Sequence, residues 1–180
     1  MAQNAVKRQK EQRLREELRL MRRAIDEFKR DTFGSCPQGV GAGVGAGAGG
    51  GRQFNVAPTD PRSRVVIDDC TIFDSQNLDR YPPTLDTLVS GVSVRPRGVN
   101  LASGSGLGNT RQATELNQDD QITKVYLREI PVDPMTGEKD WILRSTYQTA
   151  DSESWDEINV FDVRSASKDE AMDGSKYSDW

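Results

Sequence analysis

Cys36 and Cys70 are the only thiols in a chain of 180 residues that contains no histidine. Without imidazole there is no Ser-His or Cys-His couple, and the commonest general base and commonest neutral metal ligand are both missing. Two thiolates alone do not complete a zinc site. What the pair can do is oxidise: one disulfide would close a long glycine-rich loop, chemistry that suits an oxidising compartment. The alternative is two reduced thiols without a role. Bridging residues 36 and 70 would close a loop of 35 residues and remove about 3–4 kcal/mol of unfolded-state entropy by the chain model.

Oxygen chemistry is concentrated elsewhere. Asp162, Asp169, Glu170, Asp173 and Asp179 crowd the tail, yet no pair of carboxylates stands out from ordinary surface acids as an acid/base couple. The calcium-loop pattern D-x-[DN]-x-[DN]-G is absent. Between Gly34 and Gly51 lie glycines at spacings such as Gly43–Gly45 and Gly45–Gly47. A dinucleotide fingerprint needs a strand before it and a helix after it, whereas here a helix precedes and a loop follows; no GK[ST] is present either. This run reads as a low-complexity excursion.

The elements that must position these residues begin with one long helix over residues 1–32. Leu14, Leu18, Met21, Ile25 and Phe28 recur at spacings of four and three, a single apolar stripe. Residues 2–13 are polar nearly all round, so packing within the domain does not account for their being helical. The expectation is a helix packed along its C-terminal half and protruding along its N-terminal half. Excursions are expected over 33–63 and 95–120. Residues 64–73 carry the β-branched content of a short extended segment. A short helix is expected over 81–91, with Thr84 as N-cap and Gly91 as terminator. Residues 140–148 and 157–165 alternate as two strands of an antiparallel hairpin, giving a sheet and C-terminal loop over 140–180.

Between helix and hairpin stands KVYLREIPVDPMTGEKDW. Pro131 and Pro134 lack the donor a sheet ladder needs and hold Ile130 and Asp133 in extended geometry, so this is a shaped loop. It is expected to carry the chain from the helical layer into the sheet, with Tyr126, Leu127 and Ile130 packed on Leu18, Met21, Ile25 and Phe28. Gly137 should take a turn conformation, and Asp173-Gly174 a second turn. The reading is a single α+β domain, 1–180, with the long helix as its spine.

Four blocks in this order, LRLMRRAIDEFKRD within 17–31, YPPTLDTLV at 81–89, YLREIPVDPMTG followed by Trp at 126–141, and a tail at 161–180 with an Asp-Gly turn and a terminal Trp, resemble the major (G-type) pseudopilins of type II secretion systems, relatives of type IV pilins. The resemblance implies a pilin-like fold: a long N-terminal helix on a small antiparallel sheet, with a short second helix and long Gly-rich loops. It implies a structural subunit, not an enzyme, which polymerises with copies of itself and minor pseudopilins into a periplasmic filament that drives export across the outer membrane. An inner-membrane secretion platform would be a partner, and the membrane would be reached through an apolar N-terminal segment upstream of Met1. The native location would be the bacterial inner membrane and periplasm.

Members of that family commonly bind calcium in the tail loop with Asp side chains and backbone carbonyls, which makes Asp169, Asp173 and Asp179 candidate ligands. Here Ala166 and Lys168 stand where a glycine or an oxygen ligand would be expected, so no metal or other cofactor is assigned. An acidic turn pinned on the sheet by Tyr177 and Trp180 is preferred.

Charge is unevenly placed. Residues 1–31 hold ten Lys/Arg against six Asp/Glu, and the remainder fourteen against twenty-two. Lys7, Arg8, Lys10, Arg13 and Arg15 against Glu11, Glu16 and Glu17 could pair between subunits, or within the helix as Glu11 with Arg15. The soluble chain is expected to be monomeric at micromolar concentration, because the exposed half-helix has no apolar seam. Other readings are an adhesion or DNA-uptake pilin subunit, or a secreted pilin-like binding module. Nucleic-acid binding fits poorly, since the helix lacks interleaved aromatics and the whole chain is acidic.

Overall fold

The computed structural model describes residues 2–35, 60–96 and 122–180. Helix α1 runs from Ala2 to Asp31, about 45 Å at 1.5 Å per residue. Its stripe is the core: Leu14, Leu18, Met21, Ile25 and Phe28 are each at most 2% exposed. The helix stops where Gly34 takes φ +74°, a left-handed turn that glycine adopts without strain. Lys29 and Arg30 in its last turn complement the negative end of the helix dipole.

Two antiparallel sheets pack beside α1. One has the order β1 (Val65–Ile67), β2 (Val92–Pro96), β3 (Ile122–Lys124), with Ile67 opposite Val94 and Val92 opposite Lys124. The other pairs β4 (Ile142–Arg144) with β5 (Asp162–Arg164), Leu143 opposite Val163. Helix α2 spans Leu85–Ser90. The Thr84 hydroxyl accepts from the Thr87 N–H at its start, and Gly91 ends it at φ +79°. A Cβ at Gly91 would lie 2.8 Å from the Lys124 carbonyl oxygen, so glycine also lets β3 pass close by. The Leu88 carbonyl, left over at the end of α2, accepts from the N–H groups of both Tyr126 and Leu127 at 3.0 Å.

The α+β class holds, but the single expected sheet is two. The second excursion was expected to begin at residue 95; that position lies inside β2, and the loop with Pro131 and Pro134 leads from β3 to β4 and so joins sheet to sheet. The strands expected over 64–73, 140–148 and 157–165 are three residues each. Side chains take the backbone groups that a longer hairpin ladder would have used. The Ser145 N–H donates to Gln148 Oε1 and the Thr146 N–H to Asn159 Oδ1. After β1, the Asp69 carboxylate accepts from the Thr71 N–H and starts a 3-10 turn, Cys70–Ile72.

The proline loop is held by Asp133, which is fully buried. Its backbone N–H donates to the Glu138 carbonyl and its carbonyl accepts from Gly137; its carboxylate accepts from the Met135 N–H and from the Ser165 hydroxyl at 2.5 Å. Gly137 has φ +79° as expected. Trp141 closes the loop by donating its indole N–H to the Pro131 carbonyl at 2.8 Å. Leu127 is in the core and Ile130 packs against it, while the Tyr126 ring meets Phe28 edge-on at 5.3 Å.

Candidate functional site

The distinctive construction is the seam where the tail lies along the polar face of α1. Lys7, Glu11 and Arg15 follow one another at intervals of four residues, which places them in a row beside the apolar stripe. Lys7 donates to the Glu170 carbonyl at 2.8 Å. The Glu11 carboxylate accepts from the Met172 N–H at 2.9 Å and from the Tyr177 hydroxyl at 2.8 Å. Arg15 stands 3.7 Å from the Asp173 carboxylate, and its guanidinium lies 4.2 Å from the centre of the Trp180 ring. Further along, Arg22 donates to the Asp162 carboxylate at 2.8 Å and to the backbone oxygens of Val163 and Trp180.

The tail is shaped to meet that row. Glu170 and Lys176 form an antiparallel bridge, with the turn between them closed by Gly174 at φ +85°. Tyr177 is 2% exposed and its ring meets that of Trp180 edge-on at 5.2 Å. Burial, together with the hydrogen bond to Glu11, pushes the Tyr177 phenol up to about 12, since both disfavour the phenolate. Asp173 is held below the usual carboxylate range by hydrogen bonds from the Ser175 hydroxyl and N–H, helped by nearby Arg15.

A second polar centre pins the other end of α1. Asp31 is 1% exposed and accepts from Ser63 Oγ at 2.7 Å, Lys124 Nζ at 2.7 Å and the Tyr126 hydroxyl at 2.8 Å. Lys124 also reaches Glu27 at 2.6 Å. Burial alone would lower the Lys124 ammonium, but its bonds to Asp31 and Glu27 outweigh that and raise it. Burial, then the bond to Asp31, push the Tyr126 phenol well above its ordinary range.

Of the residues singled out from the sequence, Leu18, Met21, Ile25, Phe28, Tyr126, Leu127 and Ile130 come together in and around one core. The candidate cation ligands do not converge. The Asp173 carboxylate is occupied by Ser175, and the Asp169 carbonyl accepts from the Tyr177 N–H. Among the described residues no group of three or more acidic or cysteine side chains is arranged around a cation position. Cys70 is disulfide-bonded; Cys36, the other cysteine, lies outside the described residues, as does most of both excursions. Of the two readings left open for the helix charges, the intrahelical pair Glu11–Arg15 does not form, each side chain being engaged with the tail; the intrahelical pair that does form is Arg13–Glu17 at 3.8 Å. Asp31 and Arg22 were not singled out from the sequence, and Asp133 only as the residue before Pro134. Tyr177 and Trp180 were expected to pin the tail on the sheet; in the structure the Tyr177 hydroxyl and the Trp180 ring meet Glu11 and Arg15 of α1.

Between α1 and residues 126–132 runs a groove of about 560 Å³, lined among others by Arg13, Leu20, Leu127, Ile130 and Val132. No helix among the described residues is long and apolar enough to cross a membrane. Lys7, Glu11 and Arg22 each hydrogen-bond to the tail and so fasten it to α1. No protein-family model, no curated protein and no solved structure matches this chain.

Proposed function

We propose that the chain is the pilin-like head of a filament subunit, a G-type pseudopilin of a type II secretion system. The observation that carries this reading is the division of α1. Residues 14–31 supply the five stripe residues to the core, while residues 3–13 project almost wholly exposed apart from the half-buried Lys7 and Glu11. A helix of about 45 Å with only half its length packed is stable as part of a longer, otherwise supported rod. The C-terminal seam supports the same reading, because it splints the unpacked half to the body without covering its outer face. The subunit would act mechanically, with helices packed side by side and new copies added at the base, and with no bond made or broken.

The coding region upstream of Met1 tests it. A Gly-Phe-Thr-x-x-Glu-type start followed by some twenty apolar residues is expected, enough to span a bilayer, and deletion of the gene should stop export while leaving the exported proteins in the periplasm. A conventional cleaved signal peptide in that place would sink the proposal.

A further inference from the structure

Opposite its apolar stripe, α1 turns a basic face to solvent. Arg8, Arg15, Arg19 and Arg23 fall within about 80° of one another around the axis and extend over about 22 Å of it. All four are exposed. Among the described residues Arg8, Arg19 and Arg23 take part in no ion pair, and Arg15 reaches Asp173 and the Trp180 ring of the tail. Glu16 and Asp26 share the face and leave it net positive. A guanidinium in water needs no partner, but four arginines along one exposed face of α1 form a field that an acidic surface would fit.

The same molecule carries the complement. The β4–β5 loop, residues 149–158, presents Asp151, Glu153, Asp156 and Glu157 exposed, with no Lys or Arg in the segment. None of the four is in an ion pair among the described residues; Arg164, beside the loop, donates to the Ala150 carbonyl and not to these carboxylates. The loop is held in shape from within. Ser145 donates to the Asp156 carboxylate at 2.5 Å, the Trp155 indole N–H to the Asn159 carbonyl at 2.8 Å, and Gln148 to the Ser154 carbonyl. A preorganised acidic loop loses little freedom on docking.

We infer that the arginine stripe of α1 receives the acidic β4–β5 loop of a second copy of this chain. Stripe and loop are different surfaces, so the contact is heterologous: each copy that offers its loop still has a free stripe, and the series stays open. Exposed charge pairs are individually weak and screened by salt. The inference therefore rests on the filament reading for one thing, the high local concentration that anchored neighbours supply.

The isolated soluble chain tests the contact apart from the filament. Sedimentation at about 1 mM protein and about 20 mM salt should show an open series of oligomers that falls to monomer at about 0.5 M salt. Arg19→Gln/Arg23→Gln and Asp151→Asn/Glu153→Gln, which neutralise each surface without reversing it, should each weaken association at least tenfold while retaining the wild-type melting temperature. Mixed in equal amounts, the two variants should pair again and stop at a one-to-one complex, since one lacks a working stripe and the other a working loop. A wild-type chain that stays monomeric, variants that associate like wild type, or a mixture that does not recover would each overturn the contact. So would stripe-dependent binding to phosphatidylglycerol vesicles without self-association, which would make the face a lipid surface. Recovered pairing in the mixture alongside a conventional signal peptide upstream would overturn the filament reading and leave the contact standing.

Discussion

Replacing Tyr177 by phenylalanine removes one atom from the seam, and the structure sets what that atom is worth. The hydroxyl donates to Glu11 Oε1 at 2.8 Å; a hydrogen bond to a charged group contributes about 1.5–3 kcal/mol. Glu11 keeps the Met172 N–H at 2.9 Å and is only half-buried, so at pH 8 the loss should be about 1–2 kcal/mol. The pH dependence is the sharper test. In the folded chain the phenol titrates at about 12 against 10.0 when free. A raised pKa contributes stability that is present in full below pH 10 and is lost as the pH climbs towards 12, because there the unfolded chain gives up its proton first. Two units correspond to about 2.7 kcal/mol; screening of the hydroxyl end at the rim of the seam reduces this to about 1–2 kcal/mol. Phenylalanine has nothing to titrate. Urea unfolding of both proteins at pH 8, 9, 10 and 11 should show a gap that narrows to less than half its initial size by pH 11. A gap that stays constant over that range would refute the assignment of Glu11 as the partner of a protonated Tyr177.

Leu127→Ala should cost about 2–5 kcal/mol in thermal or urea unfolding, since Leu127 is 3% exposed within the core; an unperturbed variant would refute the packing of the proline loop on α1. Asp31→Ala should cost about 3 kcal/mol, the low end for breaking a buried pair, because Lys124 retains Glu27 at 2.6 Å. The double change Asp31→Leu/Lys124→Met should recover most of that loss, and failure to recover would show that the site depends on more than the pair. Asp173→Ala, whose partners are Ser175 and, at 3.7 Å, the exposed Arg15, should shift the melting temperature little and equally with calcium or chelator; a calcium-dependent loss would reinstate the tail as a cation site.

The apolar stripe was legible because a helix repeats every 3.6 residues, and Leu14 to Phe28 obey that repeat without interruption. The Thr84 cap and the Gly91 and Gly137 turns were legible for a related reason: they are decided within a few residues of chain. What stayed hidden is non-local. Strands β2 and β3 offer only Val92, Val94 and Ile122 as apolar signal, too short a pattern to separate from loop, and they pair across residues 97–121. The partners of Asp31 lie 32 to 95 positions away, and a carboxylate at the negative end of a helix dipole looks, from sequence alone, like surface. Glu11 was ambiguous in the sequence, where Arg15 and a neighbouring subunit were both open as partners; the tail takes it instead, with two donors from 161 and 166 positions away.

The seam and the stripe also fix where along its axis α1 can sit. The stripe repeats with a spacing of seven, Leu14, Met21 and Phe28 in one line and Leu18 and Ile25 in the other. The polar row, Lys7, Glu11, Arg15, steps by four and holds its one carboxylate in the middle. Sliding the helix by four residues, about 6 Å, would set Lys7 or Arg15 against the Met172 N–H, donor facing donor, and take the carboxylate away from the Tyr177 hydroxyl. A slide of seven residues would refit the apolar lines but put Asn4 or Leu18 where Glu11 now accepts two bonds. A slide of eight would put Gln3 or Arg19 in the place of Glu11 and Lys10 or Asp26 in the place of Leu18. The two scales work as a vernier: their marks align at one setting, so an axial load on α1 meets a single register with no neighbouring notch to slip into.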